Sequence, residues 1–93
     1  MTTFADHDTP KTKAGLAERI IDGEALLVNA QGGEILVLNE PGAFIWQLLD
    51  GKRDVAALVA CVCDEYAVEE AIASADVRAF LDALASRGAL EGA

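Results

Sequence analysis

The sequence predicts an α+β fold of order βββααα, a small three-stranded antiparallel sheet followed by three helices. Three observations carry it. The dipeptide Asp22-Gly23 sits between apolar runs, which marks a tight hairpin. The apolar period changes from strand-like to helical after Asn39. From there to Gly88, apolar residues recur at i, i+3, i+4 spacing in three stretches separated by turn signals. The chain's 93 residues suit one domain with a modest core.

Leu16-Ala17-Glu18-Arg19-Ile20-Ile21 reads as the first strand, although the same residues also read as a short turn of helix. Asp22-Gly23 favours a type I′ turn into a second strand, Glu24 to Asn29, around Leu26-Leu27-Val28. Asn29-Ala30-Gln31-Gly32-Gly33 is a longer hairpin loop, its glycines free to take positive φ. Glu34 to Leu38 is the third strand, so the second lies in the centre of the meander. Asn39 then supplies an N-cap and Pro41 falls in the first helical turn, where its missing N–H costs nothing. Phe44, Ile45, Leu48 and Leu49 mark the first helix, which Gly51 ends. Asp54 caps a second helix whose face is Val55, Leu58, Val59, Val62 and Tyr66. A third runs from about Glu70 to Arg87 with Val77, Phe80, Leu81 and Leu84 on one side, and Gly88 stops it. Residues 1–15 are expected to be a flexible N-terminal tail, and 16–93 the folded domain.

Composition narrows the function. The net charge is −9 with seven basic residues, too few for the electrostatic footprint of a nucleic-acid binder. No apolar stretch approaches the roughly 18 residues of a membrane span, and the N-terminus has no apolar signal region, so a cytoplasmic protein without a membrane partner is expected. Catalytic constellations are missing: the single histidine, His7, lies in the tail, and there is no G-x-S-x-G and no phosphate-cradling loop. Neither an enzyme nor a cofactor is expected. Cys61 and Cys63, at i and i+2 of a helix, point about 200° apart and cannot share one metal ion. They read as thiols of a reducing compartment.

One stretch resists the simple pattern. Ile35-Leu36-Val37-Leu38 is apolar throughout, whereas a strand with one face in water alternates. It is also an edge strand, and no Lys or Pro guards it between Gly32 and Asn39. An apolar, unguarded edge is the signature of a docking strand.

The residues "LNEPGAFIWQLLDGKRDVAALV" and "ADVRAFLDALASRGAL" extend this. Over about Gly23 to Leu90 the chain resembles the PqqD-like proteins, the RiPP recognition elements of pathways that modify ribosomally made peptides. The Leu38-Asn39 pair, Ala43, Ile45-Trp46, Asp50-Gly51 and the Asp76-Val77…Phe80-Leu81…Leu84…Gly88 helix carry the resemblance. It implies a winged-helix-like fold and a non-catalytic role, binding the leader segment of a precursor peptide and presenting it to a radical SAM enzyme or a leader peptidase. The leader would add as a strand to Glu34, Ile35, Leu36, Val37 and Leu38, in a groove walled by Val77, Arg78 and Leu81, with Asp82 or Ala85 beside them. Phe80 and Leu84 are expected inside the core. Two alternatives come from other classes: a winged-helix DNA-binding regulator, which the charge opposes, and a homodimer formed through the apolar sheet.

Overall fold

Asp22 and Gly23 both take positive φ, 51° and 83°, the geometry that lets a two-residue turn match the twist of its flanking strands. They join β1, Leu16–Ile21, to β2, Glu24–Asn29, and the chain continues through β3, Glu34–Leu38, α1, Glu40–Gln47, α2, Val55–Tyr66, and α3, Glu70–Ser86. This is the βββααα order that the sequence predicts. The computed structural model describes residues 4–29 and 34–91, apart from the side chains of Asn29 and Glu34. The loop expected at 30–33 therefore lies outside the described residues. The sheet order is β1-β2-β3, antiparallel throughout. β1 was ambiguous in sequence because all of it but Leu16 is exposed, so burial imposes no period on it.

The pleat sorts the sheet into two faces. Ala25 and Leu27 of β2, each 1% exposed, point at the helices together with Leu38 and the half-buried Leu36. α1 packs against β2 and β3 on this inner face. Its Trp46 is buried, and its indole Nε1 donates to the Glu18 carboxylate at 2.5 Å, which fastens β1 to the helical layer. α2 and α3 pack on each other and close the core with Leu58, Val77, Leu81 and Leu84. An edge-to-face contact of Phe44 and Tyr66, centroids 5.6 Å apart, joins α1 to the end of α2. Burial pushes the Tyr66 phenol up, and the Glu40 and Glu65 carboxylates push it the same way.

The caps follow the sequence. Asn39 accepts from the Gly42 N–H at 3.0 Å and Asp54 from the Ala57 N–H at 2.8 Å. Between those helices the Asp50 carboxylate accepts from the Arg53 and Lys52 backbone N–H groups, which hold its carboxyl below the usual range.

Part of the N-terminal segment, expected from the sequence to be a flexible tail, lies against the domain through backbone hydrogen bonds. The Val55 and Ala56 N–H groups, at the start of α2, donate to the Asp8 and Asp6 carbonyls at 2.9 and 3.0 Å. Gly51 donates to the Pro10 carbonyl, Lys13 to that of Ala89 and Glu91 to that of Lys11. Bridges pair Lys11 with Asp50 and Thr12 with Leu90, and Pro10 is buried. The physical reason is that a helix start has N–H groups without internal acceptors. Here a polar segment supplies carbonyls, an interaction that leaves no mark in hydrophobic periodicity.

Candidate functional site

β3 is one of the two edges of the sheet, and its register decides which atoms it offers. In a two-residue hairpin the residues flanking the turn, here Ile21 and Glu24, form a hydrogen-bonded pair. Bonded and non-bonded pairs then alternate, so the backbone groups of Leu26 and Val28 point at β1 and those of Ala25 and Leu27 at β3. Within β3, Leu36 and Leu38 therefore bond to β2. The N–H and C=O groups of Ile35 and Val37 face the open side. Their side chains are the exposed ones, at 61% and 66%, and point away from the helices. The four apolar residues thus divide by face: Leu36 and Leu38 inward, Ile35 and Val37 outward. Glu34 pairs with Asn29 at the far end of the strand.

Of the third-helix residues expected to wall a groove beside β3, Val77 and Leu81 are enclosed and Arg78 faces another way. Val77 and Leu81 are 0% exposed, on the buried stripe with Ala73 and Leu84. A ligand cannot touch them without opening the core. Arg78 is turned toward the N-terminal segment. Its Nε donates to Ser74 Oγ at 3.1 Å, one terminal nitrogen donates to the Phe4 carbonyl at 2.5 Å, and the other pairs with the Asp6 carboxylate. It lines an open groove of about 680 Å³ between α2 and α3, with Val59, Cys63 and Ser74. Arg78 therefore stands apart from the β3 edge.

Phe80, on the other flank of the same helix, lies near the end of β3. It lies two residues from Arg78, about 200° around the helix. Its ring reaches the junction of β3 and α1: a Cβ at Gly42 would come within 3.2 Å of the ring and 3.4 Å of the Leu38 Cβ. Phe80 is half-buried rather than enclosed. Two signals in the sequence pointed here. The two-residue offset forbids Arg78 and Phe80 a common groove, and a glycine inside the short α1 is costly unless another group approaches closely.

The site thus combines an unpaired backbone edge at Ile35 and Val37, the inward side chains of Leu36 and Leu38, and the Phe80 ring. Such an arrangement suits an extended peptide, which gains main-chain hydrogen bonds along the edge and pockets for alternate side chains. Among the described residues there is no group of three His, Cys, Asp or Glu side chains placed to hold a metal ion. No described helix is long and apolar enough to cross a membrane.

Residues 24–90 match the family model for coenzyme PQQ synthesis protein D. No curated protein sequence matches the chain. Among solved structures, the chain is similar to TbiB1 in complex with the TbiA(β) leader peptide, at 34% identity over 89% of this chain and 96% of that one, with a TM-score of 0.81. Lasso peptide synthetase B1 complexed with the leader peptide shares the fold at 24% identity, over 88% and 96% of the two chains, TM-score 0.78. So does the solution structure of the PqqD truncation of Methylobacterium extorquens PqqCD, a stand-alone RiPP recognition element, at 24% identity over 97% and 96%, TM-score 0.79.

Proposed function

The chain belongs to the PqqD family, and from that premise we propose that it is a non-catalytic recognition element for a precursor peptide. It captures the leader segment by strand addition along β3 and presents the peptide to a modifying or processing enzyme, a radical SAM enzyme or a leader peptidase of the same cytoplasmic pathway. The observation that carries this reading is the open edge at Ile35 and Val37, apolar and unguarded, with Phe80 near its Leu38 end. The leader complex of TbiB1, 34% identical over most of the chain, supports the ligand class.

Val37→Pro tests it. The Val37 N–H faces the open side, where proline is tolerated in an edge strand, so the fold is expected to persist. An added strand loses a donor, and proline crowds the approach. Affinity for the leader of the precursor encoded beside the chain should fall about tenfold or more. Leu36→Pro, which removes a bond to β2, should instead destabilise the domain. Unchanged leader affinity in folded Val37→Pro would refute strand addition at this edge.

The charge of −9 speaks against the DNA-binding alternative, since phosphate neutralisation needs clustered cations.

A further inference from the structure

The charges on α3 divide between its two flanks. Glu70 lines the open groove together with Arg78, and Asp82 follows Arg78 by one helical turn on the same side. The flank of Phe80 is charged differently. Asp76 precedes Phe80 by four residues and Arg87 follows it by seven, spacings that repeat one side of a helix. Phe80 and the exposed Ala83 lie between them. Asp76 and Arg87 are both exposed, and neither has an ion-pair partner among the described residues. This flank therefore presents an apolar middle between a carboxylate and a guanidinium.

The fold sets these two charges toward opposite ends of β3. Leu38 pairs with Ala25, so the Asp22-Gly23 turn lies at the Leu38 end of the sheet. There a Cβ at Gly23 would meet the Glu40 carboxylate at 3.4 Å. The helix of Glu40 touches Tyr66 through Phe44, and α3 begins four residues after Tyr66. At its other end, Ala89 accepts from the Lys13 N–H, three residues before Leu16. Leu16 pairs with Asn29, and Asn29 with Glu34. α3 thus runs from the Leu38 end of the sheet toward the Glu34 end. Asp76 and Arg87 stand about 16 Å apart along it, close to the length of β3, five residues at about 3.4 Å each.

A peptide added to β3 turns alternate side chains toward α3. Those in its middle meet Leu36, Leu38 and Phe80, and those at its two ends come level with Asp76 and Arg87. We propose that Asp76 and Arg87 select the leader by the order of its charges: a basic residue on its inward face at the Leu38 end and an acidic one at the Glu34 end, about four to six residues away, with apolar residues between. The inference rests on strand addition at β3 and adds a direction to it. A leader docked the other way round sets like charges together, which costs affinity without any change of apolar contact.

The experiment titrates the full chain with the leader of the precursor encoded beside it, synthesised as it stands and with its basic and acidic residues exchanged. A leader without this pair of charges overturns the proposal at once. The double variant Asp76→Lys/Arg87→Glu keeps the net charge at −9, so the overall field of the protein is unchanged. In about 0.05 M salt it should bind the natural leader about fivefold or more weakly than the unaltered chain does, and the exchanged leader more tightly. Both differences should shrink in about 0.5 M salt. Asp76→Asn and Arg87→Gln should each cost about twofold, and they decide the matter if circular dichroism shows the double variant unfolded. Equal affinity of the unaltered chain for the two leaders would overturn the charge order. So would a loss in the double variant that persists in high salt, since that marks altered packing. Val37→Pro is read separately: full leader affinity in that variant rejects the strand-addition premise, whatever the charge variants do.

Discussion

At the residue scale, Ala67 ends α2 in the left-handed region, with φ 52° and ψ 43°. An L-residue with a Cβ is strained there, by about 1–2 kcal/mol relative to its ordinary conformations. Glycine escapes the strain but loses more entropy on folding. Ala67→Gly is therefore expected to stabilise the domain by about 0.5–1 kcal/mol, read from the denaturant midpoint at unchanged slope. Asp22 also has positive φ, but it belongs to a turn that asks for this conformation at both central positions, and Asp tolerates it. Nothing similar favours alanine at 67.

At the element scale, α3 shows how one helix serves two neighbours. Its buried stripe of Ala73, Val77, Leu81 and Leu84 is common to both, while the two flanks differ. One carries Arg78 toward the N-terminal segment; the other carries Phe80 toward β3 and Gly42. The flank of Phe80 belongs to the proposed peptide site and that of Arg78 does not. Phe80→Leu keeps an apolar side chain against the core and removes the ring. A stability loss of about 1 kcal/mol is expected. The leader affinity should fall about tenfold, because a half-exposed aromatic face is lost from the groove. Arg78→Gln should leave that affinity unchanged in the same titration. A larger effect at Arg78 than at Phe80 would place the groove on the other flank.

At the scale of the whole molecule, residues 5–13 act as a strap that joins the start of α2, the loop before it and the C-terminal end of the domain. A deletion of residues 1–13 removes the acceptors of the Val55, Ala56 and Gly51 N–H groups. It is expected to cost about 2–3 kcal/mol, since each hydrogen bond contributes about 1 kcal/mol and some of the freed groups reach water. Chemical denaturation of the shortened chain measures this, and a loosely attached tail would instead give no change. The strap and the proposed peptide edge lie on opposite flanks of α3, so the deletion should lower stability without altering leader affinity in the folded protein.

The sequence by itself determined the order of the elements, the turn at Asp22-Gly23, the caps at Asn39 and Asp54, and the presence of an apolar unguarded strand. These are local properties, written in periodicity and in residues that suit a particular backbone conformation. It placed Leu84 inside for the same reason. Tertiary structure alone decided the rest. Whether Val77 and Leu81 or Phe80 would stay partly exposed depended on the rotation of α3 about its axis, which packing fixes. Whether the N-terminal segment would be held depended on backbone carbonyls finding helix N–H groups, which no side chain records. And the run Ile35-Leu36-Val37-Leu38 is apolar on both faces for two reasons: its inner residues fill the core, and its outer residues stand on a sheet face that the fold leaves open.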